Sequence, residues 1–572
     1  MKADAKKIPT HRTRAMRLET LLSVLAVLLV AQAREEGTPI LKHVSHMTEK
    51  ELNQHVRKVQ LTPPVGMSTY HLARLVADES QATSVLKNLV NVMFTTLDVT
   101  NRYLSSWEEL EAAGVEAEGF ASHPLHAYAL TKHVSLGWPH VEASLRALSN
   151  LSKNVEWLLS RREKRGVPTG EDLATVAGGL ARLHDYYSLN LTALAHAQLV
   201  SAIDARAVPV KISPTVVDLH RIGSEAVSHN VLNSGVDFLK AALDRWDGNA
   251  SFVRNSDTFD AHRELRQIDL SFRRAVKIHD QVLEKKGPRS DLHSTYARPF
   301  NKTLARKKKY HMKEELVLGV KGSQRQGLKQ YHRLCRGEEL RPVDITSRLY
   351  CRYVTNGSPL YKIGPLRMEV QSLDPYVVTL EEVVTPSEAA DLVLASAGYL
   401  TRSSTVRGNG SSIEDFKRTS STAWMLDKDI PILPVLTKRI EQMVGVNAQL
   451  FDGAEIYQIL NYGVGGHYTV HHDAFVYPRM ATFLIYLSTV PQGGRTVFPW
   501  VGAGVRPKRG SALLWFNMNR SGKPDSRLQH GACPVLLGDK WVINKWLYYT
   551  GQQKTLPCIP GNPEATVSQP LS

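Results

Sequence analysis

Residues 461–473 read Asn-Tyr-Gly-Val-Gly-Gly-His-Tyr-Thr-Val-His-His-Asp. The glycines at 463, 465 and 466 mark a turn, and the residues after them read as a strand. Side chains on a strand alternate between faces, so His471 and Asp473 share one face while His472 takes the other. An imidazole beside a carboxylate, completed by a histidine from a separate strand, is the two-histidine, one-carboxylate set that holds Fe(II) and leaves three positions open. His530, in Gln529-His530-Gly531, is the residue expected to complete it. Taken alone, His-x-Asp is a weak signal in a chain of 22 histidines. A lysine farther along the chain gives it weight.

Lys540 stands ten residues beyond His530 and opens Lys-Trp-Val-Ile-Asn-Lys-Trp (540–546). Read as a strand, this stretch puts Lys540, Val542, Asn544 and Trp546 on one face and Trp541, Ile543 and Lys545 on the other. A lysine facing an interior is costly unless an anion neutralises it. A dicarboxylate that chelates the metal at one end would meet Lys540 with the other. The ordinary alternative is a lysine snorkelling from a strand end.

Around these residues the pattern is β-rich. Strands are expected at 376–380, 455–461, 482–488, 512–516 and 541–549, separated by turn clusters such as Pro491-Gln492-Gly493-Gly494. Thr385-Pro386-Ser387-Glu388 is a capping box with proline at its first helical position and predicts a helix through 397. Many short strands with few helices suggest a barrel or jelly roll.

Upstream the periodicity is helical. Leu86, Val90, Met93, Leu97 and Leu104 form a coiled-coil-like seam, expected to pack internally. Ile222, Gly223, Ala226, Leu239, Ala242 and Leu243 resemble one tetratricopeptide-type helix pair. Residues 21–31 (Leu-Leu-Ser-Val-Leu-Ala-Val-Leu-Leu-Val-Ala) are apolar, too short to span a bilayer comfortably, preceded by basic residues and followed by Ala31-Gln32-Ala33. The expected organisation is multidomain α + β: a signal peptide (1–33), a helical N-terminal domain for dimerisation or assembly (34–165), a tetratricopeptide-like helical domain binding peptide substrate (166–290), a basic linker (291–334), a double-stranded β-helix (jelly-roll) domain (335–560) and a tail (561–572).

The 572 residues carry 71 Lys+Arg against 55 Asp+Glu, a net charge of +16. The basic residues are spread along helices, with one dense run at 306–309. No zinc-finger spacing or RNP-type strand accompanies it, so a nucleic-acid partner is not expected. Asn-x-Ser/Thr sequons at Asn150, Asn190, Asn249, Asn301, Asn409 and Asn519 permit a glycoprotein. Of the four cysteines, Cys335 and Cys351 form one close pair in sequence and Cys533 and Cys558 another, and that grouping predicts those two disulfides. There is no CxxC, which disfavours a redox-active role.

As a set, the stretches 461–473, Gly493-Gly494-Arg495-Thr496-Val497-Phe498-Pro499, His530-Gly531-Ala532-Cys533-Pro534-Val535-Leu536 and Lys540 through Trp546 resemble, in order and spacing, the α subunit of collagen-type prolyl 4-hydroxylases. The likeness extends to Cys335-Arg336-Gly337, Cys351-Arg352-Tyr353 and Ser122-His123-Pro124 through Trp138-Pro139. The resemblance implies a 2-oxoglutarate-dependent oxygenase of the endoplasmic reticulum lumen that hydroxylates peptidyl proline with O₂ and releases succinate and CO₂. It implies Fe(II) on His471, Asp473 and His530, the 2-oxoglutarate 5-carboxylate on Lys540, and Tyr462, Thr496 and Trp546 around the cosubstrate. It also implies ascorbate as a reductant, and protein disulfide isomerase as a β subunit in an α2β2 tetramer without a membrane span. Two departures stand out. Val227, Leu232 and Asn233 occupy positions where the family's peptide-binding repeat carries aromatic residues, and His472 replaces an aromatic residue between the ligands. A family member of another specificity, such as lysyl, or a non-catalytic assembly subunit is the alternative reading.

Overall fold

The computed structural model describes residues 68–90, 97–112, 117–147, 158–160, 168–246, 261–286 and 324–556, apart from 205, 207, 211, 404, 407–411, 414–417, 451–452, 475–477, 520, 553 and 555. The expected signal segment, the basic run at 306–309, Met93, Cys558 and the sequons at Asn150, Asn249, Asn301 and Asn409 lie outside the described residues.

The first half is helical. Its main elements are α1 (Thr69–Val90), α2 (Leu97–Glu111), α3 (Gly170–Tyr187), α4 (Val216–Ser228), α5 (Leu232–Asp244) and α6 (Ala261–Lys286), followed by α7 (Gln324–Cys335). Both α3 and α4 start at a threonine whose hydroxyl caps the helix while an aspartate three residues on returns the bond, Thr169 with Asp172 and Thr215 with Asp218. Leu86 and Leu104, from the expected seam, are buried in the helical core. The α4–α5 pair approaches closely because it is glycine-lined: a Cβ at Gly223 would sit 2.7 Å from Leu239 Cγ and one at Gly235 2.6 Å from Val227 Cγ2. The positions expected to be aromatic are internal here. Val227 is half-buried against the cluster of Val236, Leu239 and Ala275, the last from α6, and buried Asn233 is hydrogen bonded through Oδ1 to His279 Nε2 at 2.9 Å.

The second half is built on strands. The strands of its two larger sheets are, in chain order, β1 (Cys351–Val354), β2 (Leu366–Leu373), β3 (Tyr376–Leu380), β4 (Thr401–Arg402), β5 (Ser421–Met425), β6 (Tyr457–Tyr462), β7 (Tyr468–His471), β8 (Arg479–Tyr486), β9 (Thr496–Phe498), β10 (Ala503–Val505), β11 (Ala512–Phe516), β12 (His530–Ala532) and β13 (Lys540–Tyr548). Nine of them form an antiparallel sheet in the order β1-β2-β3-β11-β8-β13-β6-β5-β4, and four form a smaller one, β7-β12-β9-β10. One face of the large sheet, with Trp541, Ile543 and Leu547, packs against α8 (Pro386–Ala397) and α9 (Ile432–Val444). The expected capping box of Thr385 and Glu388 starts α8. The opposite face, with Tyr462, Tyr486, Trp515 and Val542, shares a core with Phe498, Val505 and Ala532 of the small sheet. The alternation of β13 read from sequence therefore holds, with Val542 and Ile543 in different cores.

Two expectations change. Residues 324–334, read as linker, lie in α7. The disulfide joins Cys335 to Cys533, across 198 residues, and Cys351 is an exposed free thiol. Sequence proximity fails as a guide because the C-terminal end of α7 is laid against the residue following β12, whereas Cys351 points outward from β1. Tyr331 reinforces that docking: its hydroxyl donates to the carbonyls of Ala532 at 2.8 Å and Tyr468 at 3.2 Å. Peptide mapping without reductant is expected to recover a Cys335–Cys533 cross-link and alkylated Cys351; a peptide joining Cys335 to Cys351 would contradict this arrangement.

Helices and sheets are in direct contact. Arg182 of α3 donates to the Gly465 carbonyl at 2.9 Å, and Tyr187 donates to the Pro534 carbonyl at 2.5 Å. Gly465 (φ +63°) lies so close to Gly179 that a Cβ there would meet the Gly179 carbonyl at 2.7 Å, which leaves room for glycine alone. The turn preceding β7 is thus fixed from the helical side.

Candidate active site

His471 ends β7 and His530 begins β12, and the two are direct partners across the antiparallel ladder. Directly opposed residues project from the same face, and the rings lie with centroids 4.4 Å apart. Each ring has its Nδ1 on the backbone carbonyl two residues earlier, Thr469 at 2.9 Å and Leu528 at 3.1 Å. A carbonyl only accepts, so Nδ1 carries the proton and Nε2 presents its lone pair to the interior, as metal-ligating histidines do. Burial, with His530 as the next contributor, pushes the His471 pKa down to about 3. At neutral pH the ring is uncharged, which is the ligating form.

Asp473 does not lie on the strand, as alternation had it; the chain leaves β7 at His471 and Asp473 sits in the following turn. Hydrogen bonds instead of pleating aim its carboxylate. Oδ2 accepts from the Thr482 hydroxyl at 2.7 Å and the Trp546 indole at 3.0 Å. The His471 and His530 Nε2 atoms stand 3.6 and 3.7 Å from its oxygens, and one donor atom from each residue falls within 4.8 Å of the others. Burial alone would raise this carboxyl's pKa; His530, His471, Arg479 and the Thr482 hydroxyl outweigh it and hold the group ionised. Two imidazoles and one carboxylate, converging at this spacing with Asp473 and His530 buried and His471 half-buried, fit a hard-to-borderline divalent ion such as Fe(II).

His472 points away, as expected. Its Nδ1 accepts from the Ala474 amide at 3.0 Å, so its Nε2 donates to the Asp525 carbonyl at 2.9 Å. It thereby fastens the ligand turn to the segment that leads into His530.

Lys540, at the start of β13, is 1% exposed. Its Nζ donates to Thr496 Oγ1 at 3.2 Å and lies 5.4 and 5.7 Å from the ring centroids of Tyr462 and Tyr486. Thr496 also receives the Tyr486 hydroxyl at 2.9 Å. No carboxylate contributes to its titration; burial alone pushes its pKa down to about 7. A buried ammonium held by hydroxyls and aromatic faces is a socket for an anion. Tyr462 and Thr496, expected around the cosubstrate, both lie beside Lys540. Trp546, expected around the cosubstrate, instead donates its indole N–H to the Asp473 carboxylate, and the Arg479 guanidinium covers its ring at 3.7 Å.

Residues 68–200 match the model of the N-terminal region of the prolyl 4-hydroxylase alpha subunit, and residues 457–548 that of the 2OG-Fe(II) oxygenase superfamily. Prolyl 4-hydroxylase subunit alpha-3 of Bos taurus is 30% identical over 460 residues, covering 76% of this chain and 84% of that protein. The chain belongs to the prolyl 4-hydroxylase α-subunit family. Subunit alpha-2 of Gallus gallus is 29% identical over 526 residues, 85% of this chain and 93% of its own length. The chain thus carries both a helical N-terminal region and a sheet-rich 2OG-Fe(II) oxygenase domain, with the converging His471, Asp473 and His530 inside the latter. Thr482, Trp515 and Asn517, which surround this site, went unread in the sequence because each sits in or beside an apolar strand and looks like ordinary core.

Proposed function

We propose that this chain is a peptidyl-prolyl 4-hydroxylase α subunit that uses Fe(II), O₂ and 2-oxoglutarate. The observation that carries the reading is the pairing of a His-Asp-His set with a buried lysine, Lys540, held by Thr496 and two tyrosine rings in the same domain. His471, Asp473 and His530 would hold iron, and Lys540 with Tyr462 and Thr496 would receive the distal carboxylate of 2-oxoglutarate. When bound, the metal and cosubstrate supply oxidation of a C–H bond coupled to decarboxylation of 2-oxoglutarate to succinate. The residues of the chain fix the ligand atoms, orient the dicarboxylate and exclude water from the pocket.

The remaining assignments rest on family membership. The oxygenase domain (335–560) is a jelly roll preceded by an assembly domain (34–165) and a tetratricopeptide-like peptide-binding domain (166–290), with residues 1–33 a signal peptide directing the chain to the endoplasmic reticulum lumen. Protein disulfide isomerase is the partner in an α2β2 assembly, and ascorbate restores the iron. No described helix is long and apolar enough to cross a membrane.

The test is CO₂ release from 2-oxoglutarate by the full chain co-expressed with protein disulfide isomerase. Proline-containing peptides are expected to stimulate it, and omission of Fe(II) to abolish it. Stimulation by lysine-containing, proline-free peptides would transfer the specificity to lysine. Metal binding without any turnover would favour an assembly subunit.

A further inference from the structure

Asn517 stands immediately beyond β11, is fully buried, and has both ends of its amide engaged. Its Nδ2 donates to Thr482 Oγ1 at 2.8 Å, and Thr482 in turn donates to Asp473 Oδ2 at 2.7 Å. Its Oδ1 accepts from Trp515 Nε1 at 2.7 Å, and the Trp515 ring meets the His530 ring edge to face at 4.7 Å. Its backbone carbonyl accepts from the Asp525 amide at 2.9 Å, the start of the segment that ends in His530 and receives His472. One amide therefore reaches supports of two site residues that lie 57 positions apart in sequence.

We infer that Asn517 is a positioning residue that sets Asp473 and His530 relative to each other through Thr482 and Trp515. The direction of the chain matters. Because the Asn517 amide donates to Thr482 Oγ1, the single hydroxyl proton of Thr482 is left to point at Asp473 Oδ2. With Trp546 as second donor, Oδ2 is committed to the protein and Oδ1 is left for the metal. Groups of this kind around a metal ligand contribute about 10–100-fold to metal affinity. Thr482 of β8 lies directly opposite Trp515 of β11, and Asn517 follows two residues after Trp515, just past the end of β11, so the sheet register places Thr482 and Trp515 beside the amide.

The inference rests on reading His471, Asp473 and His530 as metal ligands, and its test uses metal binding itself. Co(II) is titrated into the full chain and its binding followed by visible absorption. Thr482→Val and Asn517→Asp, which reverses the donor, are each expected to weaken Co(II) binding by about 10–100-fold, while Thr482→Ser keeps the wild-type affinity. Folded T482V and N517D chains that bind Co(II) as tightly as wild type would overturn the inference while leaving the ligand reading intact. Absence of Co(II) binding by wild type would overturn the ligand reading. Should N517D fail to fold, Asn517→Leu takes its place, because it removes the amide that donates to Thr482 Oγ1; wild-type Co(II) affinity in folded N517L would overturn the inference.

Discussion

His471→Ala is expected to reduce peptide-stimulated 2-oxoglutarate turnover to background and to abolish Co(II) binding. The substitution removes one of the three proposed donors, the imidazole whose Nδ1 proton is already committed to the Thr469 carbonyl. Among the described residues no other group joins this cluster, and His472, next in sequence, is held on the Asp525 carbonyl. Its effect on folding should be modest, because His471 ends a short strand at the rim of the core. Retained secondary structure with lost metal binding is the expected signature. Turnover surviving in H471A would exclude this triad as the iron site.

Lys540→Met should move affinity and stability in opposite directions. Removing one partner of a buried charge pair costs about 3–5 kcal/mol, so 2-oxoglutarate binding is expected to weaken by about 10²–10³-fold. The ligand-free protein, by contrast, no longer has to bury an ammonium without an anion, and its Tm should rise. A higher Tm with a sharply raised KM for 2-oxoglutarate distinguishes a cosubstrate socket from a structural lysine, whose loss would lower Tm and leave KM alone. The same residue fixes a pH dependence. Burial sets its pKa at about 7 in the free protein, and an anion would raise it in the complex. Below pH 7 the ammonium is already formed and affinity is at its plateau. Above it each binding event takes up a proton, and affinity falls about tenfold per pH unit. Calorimetry in buffers of different ionisation enthalpy at pH 8 should show that uptake; its absence would mean that the lysine is not the anion's partner.

How much of this was legible in sequence depends on whether the feature is local. The strands at 376–380 and 512–516 and the capped helix after Thr385 match the structure, because alternation and capping are properties of neighbouring residues. The proposed metal residues were legible for a different reason: His-x-Asp is weak alone and gained weight only beside His530 and Lys540, although Asp473 reaches the site from a turn and not from the pleat. Lys540 was legible because a charge inside an apolar strand demands an explanation. The disulfide was not, since Cys335 and Cys533 are brought together by the docking of α7 beside β12, which no spacing encodes. Nor was Asn517, whose importance lies entirely in what Thr482 and Trp515 touch. The departures at Val227, Leu232 and Asn233 gained a physical account: Val227 packs against Val236, Leu239 and Ala275, Leu232 is buried and Asn233 bonds to His279, so the helix pair is closed at these positions.

The central claim is that the iron and cosubstrate residues act on proline. The most direct measurement is mass spectrometry of proline-containing peptides after incubation with the full chain, Fe(II), 2-oxoglutarate and ¹⁸O₂. The expected product carries one O₂-derived oxygen on proline, identified as 4-hydroxyproline, formed together with succinate and missing with H471A. Succinate release by the wild-type chain with no oxygen on any proline across collagen-like and other proline sequences would contradict the account.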